Sequence, residues 1–253
     1  MLQGDKAQQR KWWLYNRFKY MDAKYLAGDA RSNVLIFRAY GKSDMDITPF
    51  ADTYINVSFA NSADAYVSVR GKKGITYHIT NPLSGEVTDQ ETHIYGVDQL
   101  KSLGDLSGFK PDTVQADKAI HLQELKIGDG AETYINPNLT SINVSKNTQL
   151  QYLDVRHCNN LTQTVDLSNC ASIETVWCEG SSVLGVTLPN AGILKSLHVP
   201  NTITKLIIKN HPLLTDLVIE NIAGLALSEL WIENMKNCRY NVMDLVQGMN
   251  EGT

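Results

Sequence analysis

Apolar positions along this chain keep three different rhythms. In residues 6–27, Leu14, Phe18, Met21 and Tyr25 recur at steps of four, three and four, the spacing of one face of an α-helix, and Gly28 follows as a C-terminal stop. Between residues 31 and 98 the period shortens to two. Residues 32–40 form an apolar run, and residues 53–60 set Ile55, Val57 and Phe59 against Tyr54, Asn56 and Ser58. Residues 65–70 and 75–80 alternate likewise, with Gly71-Lys-Lys-Gly74 between them as an expected hairpin loop and Asn81-Pro-Leu-Ser-Gly85 as a further turn. That segment predicts a small antiparallel sheet or sandwich. The third rhythm fills the remainder. A template of three Leu, Ile or Val residues at positions one, four and six starts at Leu122, Leu139, Leu150, Leu161, Ile173, Val183, Leu194, Ile203, Leu214 and Leu227, with one extra residue in the Leu161 copy.

The template is that of a leucine-rich repeat, but its spacing is short. The central residues Ile142, Leu153, Val165, Val176, Val186, Leu197, Leu206 and Leu217 lie nine to twelve residues apart. Ordinary repeats of this class place one strand in every 20–29 residues. Two strand motifs therefore fit in each coil of about twenty-two residues, and alternate motifs stack into two parallel sheets of a flattened solenoid. One sheet is expected to hold Leu125, Leu153, Val176, Leu197 and Leu217, the other Ile142, Val165, Val186, Leu206 and Leu230. Asn147, Asn159, Asn169, Asn210, Asn221 and Asn234 follow strand motifs, where a side chain that bonds nearby backbone and tolerates positive φ suits a tight corner. The fold class is thus mainly β, in three parts: an N-terminal aromatic amphipathic helix (1–30), an antiparallel β subdomain (31–98) and a leucine-rich-repeat solenoid with two short strands per coil (99–253, core repeats 121–233).

Composition narrows the function classes without choosing among them. The chain has 253 residues, 43% hydrophobic and 20% charged, with a net charge of −4. That balance gives no electrostatic drive toward nucleic acid, and no apolar run is long enough for a membrane span. Trp12, Trp13, Phe18 and Tyr25 make the first helix aromatic and Arg10, Lys11, Arg17, Lys19 and Lys24 make it basic. The acidic remainder favours docking on protein over a polyanion. The polar first ten residues lack the pattern of a secretory signal, and the last dozen stop just inside a new helical pattern. We therefore expect a piece of a longer polypeptide. Cys158, Cys170, Cys178 and Cys238 include no C-x-x-C pair and read as core residues.

No motif demands catalysis, a metal or a cofactor. The six histidines form no metal-binding pair, and Asp44-Met-Asp46 and Gly128-Asp-Gly130 are too short for a calcium loop. The strand template does place a row of side chains outward, and extended faces are how solenoids bind. On that row, or at its end, lie Asp154, Arg156, Trp177, Glu179 and His198, with Trp231 on the opposite sheet. These six are the candidate binding face. His198 and Asp154 are expected to face solvent.

Leu194-Lys-Ser-Leu-His-Val-Pro-Asn-Thr-Ile-Thr-Lys-Leu206 resembles the BspA-like repeats of bacterial surface proteins. More of the chain resembles large structural proteins of tailed bacteriophages that infect gut bacteria. The likeness rests on Trp13-Leu-Tyr-Asn-Arg-Phe-Lys-Tyr-Met-Asp-Ala-Lys-Tyr25, Ile94-Tyr-Gly96 and Gly104-Asp-Leu-Ser107 leading to Leu122-Gln-Glu-Leu-Lys-Ile-Gly128. Leu153-Asp-Val-Arg-His-Cys158 and Val165-Asp-Leu-Ser-Asn-Cys170 continue it. This resemblance implies a non-enzymatic segment of the virion, in the tail or adsorption apparatus. Its partners would be other virion proteins, other parts of the same polypeptide, or a host surface component. A bacterial surface adhesin is the alternative, and a solenoid carbohydrate-active enzyme using Asp154 or Glu179 is a further one.

Overall fold

The computed structural model describes residues 6–26, 33–41, 44–82, 89–104, 106–128, 135–222, 225–235 and 238. The chain opens with α1 (Lys6–Leu26) and continues through β1 (Val34–Ala39), β2 (Asp44–Pro49), β3 (Thr53–Ser58), β4 (Tyr66–Gly71), β5 (Tyr77–Thr80) and β6 (Gln90–Tyr95). β7 (Leu100–Gly104) and β8 (Thr113–Gln115) lead into the coils. β9 (Glu124–Lys126), β11 (Tyr152–Asp154), β13 (Thr175–Trp177), β15 (Ser196–Val199) and β17 (Asp216–Ile219) build one wall. β10 (Ser141–Asn143), β12 (Thr164–Asp166), β14 (Gly185–Thr187), β16 (Lys205–Lys209) and β18 (Glu229–Glu233) build the other.

The solenoid is a β-solenoid of about five turns across residues 102–233, with the expected alternation. Leu125, Leu153, Val176, Leu197 and Leu217 stand in register on parallel strands of the first wall. In the second wall Val165, Val186, Leu206 and Leu230 do the same, but β10 pairs with β8 instead of β12. The side-chain amide of Gln163 takes the Ile142 carbonyl at 2.8 Å, at the point where the ladder is interrupted. Each central residue but the partly buried Leu230 is buried with its repeat mates, so every coil adds a small apolar layer, each large fully buried side chain contributing about 1.5–3 kcal/mol. Asn210, Asn221 and Asn234 take positive φ at corners (55°, 44° and 57°). Asn147 and Asn169 serve otherwise, donating to backbone carbonyls of the preceding coil: Ala116 and Ala119 for the first, Ser145 for the second.

The N-terminal segment differs from expectation in its pairing. β4 and β5 are not a hairpin. β4 pairs with β3 in a four-stranded antiparallel sheet of order β1-β6-β3-β4, whereas β5 pairs with β2. The Gly71–Gly74 loop is a corner between sheets: Gly74 N–H donates to the Pro49 carbonyl and Lys73 N–H to Asp52. β2 then pairs antiparallel with β7, so the first wall runs β17-β15-β13-β11-β9-β7-β2-β5. One apolar core spans the result, from Leu35 through Met45, Ile47 and Leu103 to Leu227.

α1 packs on the outer side of the four-stranded sheet, but by a different face from the expected one. Asn16 and Tyr20 are buried, while Leu14, Phe18 and Met21 point to solvent, Phe18 at 67% exposure. The reason is the polarity of the cradle. Tyr20 meets Tyr66 and Tyr95 edge-on at 5.4 and 6.4 Å, and the Trp13 indole donates to Asp64 at 2.9 Å. An amphipathic side with hydrogen-bonding tips suits that surface better than a purely apolar one. The Trp12 and Tyr25 side chains lie outside the described residues.

Candidate binding face

Parallel register places Lys126, Asp154, Trp177, His198 and Val218 in one row along the outside of the first wall. Two residues earlier on each strand, Glu124, Tyr152, Thr175, Ser196 and Asp216 form a second row on the same side. Side chains in these rows bond across strands. The Trp177 indole N–H donates to Ser196 Oγ at 3.1 Å, and that hydroxyl donates to Asp216 Oδ2 at 2.7 Å. His198 stands between two carboxylates, Nδ1 at 2.8 Å from Glu179 and Nε2 at 2.8 Å from Asp216. Burial alone would raise the Asp216 carboxyl, but the hydrogen bonds from Ser196 and His198 outweigh it and hold it below its ordinary value.

Five of the six candidates thus meet: Asp154, Arg156, Trp177, Glu179 and His198. Trp231 does not join them. It sits on β18 in the opposite wall, half exposed, with Lys209 Nζ 3.8 Å above its ring and its indole donating to Glu233. Asp154 corrects the sequence reading, because it is 2% exposed where an outward position should be wet. Arg156 folds back over it, Nη2 to Oδ2 at 2.6 Å and Nε to Oδ1 at 3.0 Å, and the Arg156 backbone N–H adds a third donor at 3.0 Å. The preceding coil comes close enough that a Cβ on Gly128 would fall on the Arg156 backbone and on Asp154 Oδ1. The guanidinium then lies 4.3 Å over the Trp177 ring, and Tyr152 meets that ring edge-on at 5.3 Å. His198 is likewise not solvent-facing, its side chain being 17% exposed.

Sequence reasoning missed Tyr152, Ser196 and Asp216, although the period of two that picked Asp154, Trp177 and His198 also picks the residue two places earlier. It also missed a polar cleft of about 250 Å³ farther along the same wall, lined by Asp46, Thr48, Thr76, Ser102, Glu124 and Lys126 among others. Gly104 leaves the outer row open there, between Asp46 and Lys126. Cys158, Cys170 and Cys178 are buried and unpaired, as core residues should be, and burial pushes the Cys170 thiol up to about 12. Among the described residues no three of His, Cys, Asp and Glu gather to hold a metal, and no helix is long and apolar enough to cross a membrane. Asp129 and Gly130 of the short acidic motif lie outside the described residues.

The chain matches no family model, no curated protein and no solved structure.

Proposed function

We propose that this chain is a non-enzymatic structural and binding segment of a bacteriophage virion, in the tail or adsorption apparatus, and that it presents the outer face of the first wall to protein partners. The supporting observation is the cross-strand lock from Tyr152 to Asp216, which fixes Trp177, Arg156 and His198 in place before any partner arrives. A surface ordered in advance loses little entropy on binding, and Trp, Tyr and Arg are the residue types that carry interface energy. The enclosure of Asp154 also favours binding over hydrolysis, since a carboxylate 2% exposed with both oxygens held by one guanidinium does not reach a substrate. The virion setting rests on the resemblance of the helix, the β-segment and the solenoid lead-in to phage structural proteins.

Immunogold electron microscopy with antibody raised against the purified chain tests the reading. Labelling of tails or appendages on purified particles is expected. Label confined to the bacterial envelope would replace it with the surface-adhesin alternative, on which the same face would serve attachment.

A further inference from the structure

The polar cleft at the β2–β7–β9 end of the first wall has chemistry that the lock around Trp177 does not use. Its floor is a gap in the outer row. Gly104 on β7 pairs with Asp46 on β2, Lys126 stands on its other side, and only the glycine lacks a side chain. In the second row Glu124, Ser102 and Thr48 follow one another on β9, β7 and β2, and Thr76 hydrogen-bonds to Thr48. The hollow of about 250 Å³ that these residues line has room for about eight waters at ~30 Å³ each, the scale of one sugar ring with its hydroxyl groups.

Charge and hydrogen-bonding capacity select the ligand. The carboxylates Asp46 and Glu124 and the ammonium groups Lys101 and Lys126 all line the cleft, so its formal charges cancel. Much of that charge is also met in place: Lys126 Nζ lies 3.2 Å from Glu124 Oε2, and His78 Nδ1 lies 2.9 Å from Asp46 Oδ1. Neither an anion nor a cation gains a net attraction there. The hydroxyls, by contrast, keep a donor to spare. Ser102 Oγ donates to Thr48 Oγ1 at 3.3 Å, and Thr48 and Thr76 share one bond at 2.9 Å. Three protons and two bonds leave one O–H for a ligand, and each carboxylate has lone pairs beyond its one partner. Strands about 4.8 Å apart set these donors and acceptors at the separation of hydroxyl groups across a single pyranose ring. An apolar ligand would instead leave the polar lining without partners.

We propose that this cleft binds one neutral pyranose residue. The ring lies over Gly104, where the missing Cβ lets it approach the sheet. Asp46 and Glu124 accept from its hydroxyl groups, and Lys101, Lys126 and the hydroxyl triad donate to its oxygens. The site uses none of the side chains that form the lock from Tyr152 to Asp216, so it can fail while the proposed function stands.

Saturation-transfer difference NMR of the intact chain is the test. The probes are glucose, galactose, mannose and N-acetylglucosamine, each free and as its methyl glycoside, with methyl phosphate and glycine as charged comparators. Transfer to the ring protons of at least one sugar and to neither comparator is expected. Silence from every sugar, or equal transfer to a comparator, overturns the proposal. Binding of the glycosides assigns the end of a saccharide chain as the source, and binding of the free sugars alone assigns a soluble sugar. Gly104→Val fills the hollow at little cost to the fold, since a Cβ there meets Lys126 and Asp46 at 3.8–3.9 Å, ordinary contact. It is expected to abolish the signal with the circular dichroism spectrum and urea midpoint unchanged. Ser102→Ala keeps the hollow and is expected to weaken binding about fivefold, the worth of one hydrogen bond. A sugar that binds both variants as it binds the parent chain overturns the cleft as its site.

Discussion

Asp154 and Arg156 are the residues on which the outer face turns. A carboxylate 3% exposed and a guanidinium 19% exposed satisfy each other, and removing one strands its partner. Asp154→Ala should therefore cost about 3 kcal/mol in urea unfolding, a penalty typical of breaking a buried pair. A loss no larger than that of a surface substitution would show that Arg156 finds water instead. Two other side chains set the response to acid. Burial lowers His211, which is fully enclosed with Nε2 near the Pro189 carbonyl and Nδ1 without a partner, so the unfolded chain binds a proton that the folded chain refuses. Its contribution is intact above the ordinary value of 6.5 and drains as pH falls below it. Asp216, also depressed in the fold, adds a second loss only below the ordinary 3.8. His211→Gln should flatten the decline in urea midpoint just below neutrality and leave the acid limb intact, whereas an unchanged slope near 6.5 would remove His211 as its cause. The candidate face was legible to the extent that strand parity reveals it. Trp177 and His198 could be placed from sequence, but not the return of Arg156 onto Asp154, which depends on how closely the Gly128 coil approaches.

Among the elements, α1 gives the clearest separation of docking from exposure. Tyr20→Ala removes the ring that meets Tyr66 and Tyr95, and a buried aromatic lost in this way costs about 3 kcal/mol. Hydrogen exchange of α1 amides should accelerate strongly while β11 and β13 keep their protection, because the helix packs on β3 and β4 of the four-stranded sheet and on the segment before β4. Equal acceleration in the coils would mean that the helix supports the solenoid as well. The same element shows where sequence patterns end. Its length and period were readable, but the buried face was chosen by the polar tips of the cradle. In the strands, alternation located β3 and the repeat positions because each coil meets its neighbour in the same register. It did not find the partners of β4 and β5, since two glycines three positions apart mark a hairpin and a corner alike. β2 also escaped notice. Met45 and Ile47 point inward, alternating with Asp44 and Asp46, but four alternating residues shortly before a proline are a weak signal.

At the scale of the whole molecule, the apparent boundary near residue 98 separates rhythms in the sequence and does not separate cores. β2 occupies the edge of β7, β5 occupies the edge of β2, and Met45 and Ile47 are wholly buried in the core that continues through Leu103 and Leu125. In a repeat stack each coil is stable largely through its neighbours, and the first coil needs something to cover it. Here the antiparallel strands of the N-terminal segment do so, with α1 and the four-stranded sheet packed beyond. Cutting the chain between residues 98 and 99 would uncover Leu103 and the β7 edge on one side and Met45 and Ile47 on the other. Apolar surface beside an unpaired strand edge promotes association. Expressed separately, residues 31–98 and 99–253 should each be poorly soluble, and the intact chain should unfold in urea as one transition followed alike by Trp fluorescence and far-ultraviolet dichroism. A soluble 99–253 piece with the midpoint of the full chain would show that the coils cap themselves and that β2 and β5 are an attachment, which the shared core argues against.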